Sequence, residues 1–234
     1  MTTAMRVLIA CEYSGIVRRA FAALGHDAWS CDLLPAEDRS NKHIVGDVRQ
    51  ILDDGWDLLM VAHPPCTRLC RSGRRWLSGP GKMTPPKKLP KGRSWGSMKE
   101  EFDNGVDLFT ACWRAPIARV AIENPEMHDL AKARMPLDLP RPQIVQPFWF
   151  GHPEYKGTGL YLRGLPQLVP TNRLIEPEKG TDEWKAWNRV WRMPPGADRG
   201  HERSRFFPGI ADAMAMQWAG VVDQLEFSGV SHGA

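Results

Sequence analysis

Long apolar runs are absent from this sequence: none approaches the roughly 20 residues that a membrane span needs. No membrane association is therefore expected. The N-terminus passes straight into a short strand-like run, Val7-Leu8-Ile9-Ala10, so no signal peptide is expected either. The five cysteines (Cys11, Cys31, Cys66, Cys70 and Cys112) are odd in number and scattered. That argues against a disulfide framework and for reduced thiols in a cytoplasm. A glycine-rich phosphate loop is missing, because Gly15 stands alone after the first apolar run. Acids vanish over one stretch: from Thr67 to Lys99 there are ten basic residues and no acidic one.

What remains is ample for a folded domain. The chain has 234 residues, 42% of them hydrophobic, and a net charge of only +4. One large α/β domain with a real core is expected over residues 1–234, without repeats or a dividing linker. Arg6–Cys11 reads as a buried strand, and Gly15–Leu24 as a helix with Ile16, Ala20, Phe21 and Leu24 on one face and Arg18 and Arg19 opposite. Gly25 closes that helix. Asp27–Asp32 is a second strand, and a third ends in Gly46-Asp47, followed by a brief helix at Val48–Leu52. Leu58–Ala62 is a further strand. A helix over Lys99–Arg114 turns Phe102, Val106, Phe109 and Trp113 inward, and the strand Ala118–Ile122 leads to Glu123-Asn124-Pro125. Alternating strands and helices predict an open, mostly parallel sheet with ligands at the carboxyl ends of its strands. The second half adds two strands, Gln143–Gln146 and Gly159–Leu162, as an antiparallel hairpin. It also adds a tryptophan-bearing helix (Asp182–Arg192) and a closing helix beginning at Gly209.

The stretch Val61-Ala62-His63-Pro64-Pro65-Cys66-Thr67 delivers one cysteine from a strand end to the mouth of the basic segment. Cations beside a thiol lower its pKa and raise its thiolate fraction. Glu123, at the end of another strand, can reach the same place. A thiolate and a proton-exchanging carboxyl group suit attack on a heteroaromatic ring. The basic segment favours a polyanion, with nucleic acid the obvious candidate, or else it is a solvated surface loop. Asp32 is either a strand-end turn residue or an acceptor for ribose hydroxyls. Zinc is not expected: Cys70 lies one residue too far for Pro-Cys-x-x-Cys, and no His-x-Glu precedes it. A cysteine–histidine pair with His128 or His152 stays open, since spacing singles out neither.

Pro65-Cys66, with Glu123-Asn124 57 residues later, on such a sheet, resembles the DNA (cytosine-5) methyltransferases, most closely their small phage-type members. The resemblance implies a Rossmann-like fold that uses S-adenosylmethionine to methylate carbon 5 of cytosine in DNA, on a flipped base. It implies Cys66 as the nucleophile at carbon 6, Glu123 holding the ring at N3 and the amino group, and Lys156 in place of a catalytic-site arginine. Thr158 and Glu154 stand where that motif has its second arginine and its glutamine. For the cofactor it implies the turn Cys11, Glu12, Tyr13 and Gly15, with Asp32 at the ribose, Asp47 at the adenine amino group, and Pro64. Only one glycine of the family's first motif is present. Arg68, Arg71, Arg74, Arg75, Lys87, Lys88 and Arg93 are the expected DNA contacts, in a basic loop over 67–99. A short variable insert, 159–202, replaces a separate target-recognition domain, so a very short or relaxed target is expected. The expected setting is the cytoplasm of a bacterium or phage-infected host, the expected partner DNA, and the expected state a monomer or weak oligomer. A related pyrimidine modification with another donor or a nucleotide substrate, and a non-catalytic nucleic-acid-binding protein, are the alternatives.

Overall fold

The computed structural model describes residues 3–77, 89, 92–193 and 205–219, apart from the side chains of Val190 and Trp191. Lys82, Lys87, Lys88 and Lys91 lie outside them, as do residues 220–222 of the expected closing helix. The strands are β1 (Arg6–Ala10), β2 (Asp27–Asp32), β3 (His43–Val45), β4 (Leu58–Val61), β5 (Arg119–Glu123), β6 (Gln143–Val145) and β7 (Thr158–Arg163). They form one sheet in the order β3-β2-β1-β4-β5-β7-β6. β1 to β5 are parallel, whereas β7 runs antiparallel to both β5 and β6. This is the topology of the class I Rossmann-like S-adenosylmethionine-dependent methyltransferase fold.

Strand periodicity divides the core. Val7, Ile9, Leu58 and Met60 face helix α1 (Ile16–Ala23) and helix α6 (Pro208–Trp218). Leu8, Leu59, Val61, Val120 and Ile122 face helix α2 (Trp95–Arg114). Because both faces are covered, the central strands read as continuous apolar runs rather than alternations. α2 buries Phe102, Val106, Phe109 and Trp113 as the pattern predicts. It starts four residues earlier than predicted because Ser94 and Ser97 form a reciprocal capping box. On α1 the predicted faces shift. Leu24 is exposed, whereas Arg18 is buried against the Asp38 carboxylate, a partner 20 residues away.

The predicted tryptophan helix is two short ones, α4 (Asp182–Trp187) and α5 (Arg189–Arg192), separated at Asn188. Trp187 is buried among Phe148 and Tyr155. The first residues of the expected insert belong to β7 and hence to the sheet. The part beyond them packs on 147–155, through the Leu174 N–H to the Phe148 carbonyl and the Tyr155 N–H to the Trp187 carbonyl, each 2.8 Å.

At Gly159 the backbone of β7 meets the chain leaving β5. The Asn124 N–H donates to the Gly159 carbonyl at 2.9 Å, and a Cβ on Gly159 would lie 2.4 Å from the Asn124 carbonyl oxygen. Gly159→Ala is therefore expected to cost about 2 kcal/mol through overpacking, measured by urea unfolding. It should also displace Glu123-Asn124 from β7.

Candidate active site

β4 and β5 are adjacent and in register, Val61 opposite Ile122. Their exits therefore start side by side, and contacts between the two loops hold them together. The Cys66 carbonyl accepts from the Leu69 and Cys70 N–H groups at 2.9 and 3.0 Å, making a helical turn that begins at the cysteine. Next, Cys70 bridges to Met127, the Arg71 N–H donates to the Glu126 carbonyl, and the His128 N–H donates to the Leu69 carbonyl. His128 adds a side-chain tie. Its Nδ1 accepts from the Ala131 N–H at 3.0 Å, so Nε2 carries the proton and donates to the Arg68 carbonyl at 2.8 Å. Gly105 of α2 lets that helix close on the loop, since a Cβ there would sit 3.2 Å from the Pro65 carbonyl oxygen.

One pocket is lined by Glu123, Lys156, Thr158, Phe206, Phe207 and Ile210. Cys66 belongs to the same group: the Glu123 and Lys156 charges both act on its thiol. Burial pushes that thiol up to about 12, Glu123 and Cys70 push the same way, and Lys156 opposes them. This corrects the expectation of a thiol activated by neighbouring arginines. Arg68 turns away to Glu101, Arg71 to Glu126, Arg74 to Asp129 and Arg93 to Glu101. Arg68 is itself buried, and Arg75 lies against the Trp76 ring. These acids come from α2 and from the segment after β5, which a count confined to the loop does not see. Burial also raises the Glu123 carboxyl from its ordinary 4.5 to about 7, with Lys156 pulling it down.

Lys156 is positioned by the segment before α6. Its Nζ donates to the Arg205 carbonyl at 3.0 Å and lies 5.5 Å from the centre of the Phe207 ring. The Arg205 guanidinium reaches back to Glu37 at 3.5 Å, and the Phe206 ring packs beside His63. The sequence reading missed this segment. The Arg205-Phe206-Phe207 run before Pro208 was its one signal. His152 accepts from the Gly209 N–H at 2.9 Å, and a Cβ on Gly209 would come within 2.0 Å of the Phe150 carbonyl oxygen. His128 and His152 thus both serve the framework. Glu154 pairs with Arg189, tying the same segment to α5.

The first turn is built around Glu12. Cys11 and Gly15 adopt positive φ, 55° and 68°, which turns the chain tightly into α1. The Glu12 carboxylate, fully buried, accepts from the Val17 and Arg18 N–H groups at 2.7 and 3.1 Å and from the Ser14 hydroxyl at 3.3 Å. The first N–H groups of α1 are therefore already taken by the Glu12 carboxyl group, whose pKa burial raises while these hydrogen bonds oppose it. A pyrophosphate held in the dinucleotide manner needs the same N–H groups. Asp32 ends β2 and Asp47 follows β3 by two residues, and the charges of both act on Cys11 in this turn. Asp32 accepts from the Leu34 N–H at 2.9 Å, and Asp47 holds the Arg49 N–H and guanidinium. Pro64 is buried at the exit of β4, and Tyr13 lies near Glu37, Asp32 and Arg205. Folds of this class typically bind S-adenosylmethionine. No protein-family model and no curated protein matches this chain, so topology and site chemistry carry the functional argument. Among the described residues, no helix is long and apolar enough to cross a membrane.

Two titrations follow. A carboxyl group whose folded pKa is raised makes the folded state lose stability as pH rises from 4.5 towards 7. Glu123→Gln should therefore leave stability relative to the parent little changed below that range and add up to about 3 kcal/mol above it, by urea unfolding at both ends. Lys156→Met removes the opposing charge, so the Glu123 carboxyl should titrate still higher, read from its infrared carboxyl band.

Proposed function

We propose that this protein transfers a methyl group from S-adenosylmethionine to carbon 5 of cytosine in DNA, acting on a base turned out of the duplex. The observation that carries this reading is the placement of Cys66 and Glu123 at the adjoining exits of β4 and β5, with Lys156 lining the Glu123 pocket; burial there raises the Glu123 carboxyl to about 7. A carboxyl near neutrality is protonated in a large fraction of molecules and can donate to a ring nitrogen. The same protonation removes its repulsion of a Cys66 thiolate while Lys156 remains. Cys66 then bonds carbon 6 of the ring, and the electron pair of the C5–C6 double bond becomes available at carbon 5. Glu123, donating at N3, stabilises the charge that develops. S-adenosylmethionine, when bound, would supply an electrophilic methyl group to carbon 5 and leave as the thioether S-adenosylhomocysteine. Loss of the carbon 5 proton to solvent then lets the C6–S bond break, and Cys66 departs as thiolate.

The groups assigned to the cofactor are the turn Cys11, Glu12, Tyr13 and Gly15, with Asp32 for the ribose hydroxyls, Asp47 for the adenine amino group, and Pro64 beside them. The commitment of the first α1 N–H groups to Glu12 supports this choice over a dinucleotide. A free pyrimidine nucleotide is the second reading. It is favoured by the commitment of Arg68, which is buried, and of Arg93 to Glu101 of α2.

Labelled methyl groups from S-adenosylmethionine should enter duplex DNA, and nucleoside mass spectrometry should find 5-methyldeoxycytidine. Label entering dCTP instead would select the second reading; label entering neither refutes both. Cys66→Ala should lower transfer by at least about a thousandfold and abolish the covalent complex with duplex DNA carrying 5-fluorocytosine.

A further inference from the structure

A second depression, of about 370 Å³, lies on the outer side of the contacts that join the Cys66 and Glu123 loops, lined by Arg71, Arg74, Met127, His128, Asp129 and Lys132. Arg71 and Arg74 belong to the short 3-10 turn Arg71–Trp76 just after Cys66. Lys132 closes helix α3 (Asp129–Lys132), just after Glu123-Asn124-Pro125. Three cations therefore meet where the exits of β4 and β5 are zipped together. Two acids face them: Glu126 contacts both Arg71 and Lys132, and Asp129 holds Arg74. Arg71, Glu126 and Asp129 are exposed, with side-chain exposures of 72, 49 and 71%. Exposed ion pairs of this kind contribute little, so exchanging the carboxylates for another anion costs little. The nearby His128 ring is committed to the Ala131 N–H and the Arg68 carbonyl and leaves recognition to the three cations.

We infer that this groove is a phosphate site that seats the phosphodiester backbone of a duplex nucleic acid next to the catalytic pocket, with Arg71, Arg74 and Lys132 as its ligands. The inference rests on the nucleic-acid reading above and adds Lys132, which the basic loop does not contain. Guanidinium groups match phosphate oxygens bidentately, and the ammonium adds a point charge. Glu126 and Asp129 act as competing anions that hold the cations in place until a phosphate displaces them.

The test measures binding rather than turnover, so it is independent of methyl transfer. The full chain, without S-adenosylmethionine, is titrated against a fluorescent duplex oligonucleotide over a range of salt concentrations. Arg71→Ala with Lys132→Ala should weaken binding about tenfold at low salt and lower the log–log salt slope by about 1 to 2, one step per phosphate contact. Glu126→Gln with Asp129→Asn should tighten binding several-fold, an effect opposite in sign to any loss of folding. Unchanged affinity and slope in both double variants overturns the site. Changes seen with dCMP but not with the duplex overturn the nucleic-acid occupant. Failure of methyl transfer with both binding shifts intact would sink the catalytic reading alone.

Discussion

The parallel pairing of β4 with β5 is the constraint from which the site follows. It sets two chain exits side by side at the carboxyl edge of the sheet. The His128 and Cys70–Met127 contacts then fasten the two loops to each other. Cys66 and Glu123 are 57 residues apart in sequence, yet neither is held by a mobile arm. Each sits within a few residues of a strand buried on both faces. The antiparallel β7 completes the arrangement, because Gly159 lets it touch Asn124 while Lys156 precedes it.

Burial sets the chemistry of that pocket more than the local count of charges does. The thiol and the carboxyl group both lose solvation, and both are pushed towards their neutral forms. They also repel as anions, so protonation of Glu123 and ionisation of Cys66 favour one another. Among the described residues Lys156 is the cation that acts on both groups, and its placement depends on residues 205–207. An activated cysteine surrounded by free arginines would behave differently, reacting with electrophiles whether or not a substrate was present.

Much of this was legible in the sequence because it rests on local patterns. The strands follow from short apolar runs and α2 from the spacing of Phe102, Val106, Phe109 and Trp113, and the same runs put Cys66 and Glu123 at strand exits. What escaped depends on contacts between residues far apart. The buried state of Arg18 needs Asp38, and the neutralisation of Arg71 and Arg74 needs acids 55 residues on. The raised Cys66 thiol follows from desolvation, which no linear spacing reports. Glu12 lies in the turn between β1 and α1, but its commitment to the Val17 and Arg18 N–H groups depends on backbone geometry that the sequence does not report.

Arg205 has a double attachment. Its guanidinium meets Glu37, in the loop that follows β2, while its carbonyl receives the ammonium of Lys156. One residue is thus a hinge pin shared by the two halves of the sheet edge. A shift of Glu37 that drags Arg205 also moves the acceptor of Lys156, and with it the charge that tunes Glu123 and Cys66. The loop after β2 and the charge that tunes the pocket thus meet at one residue.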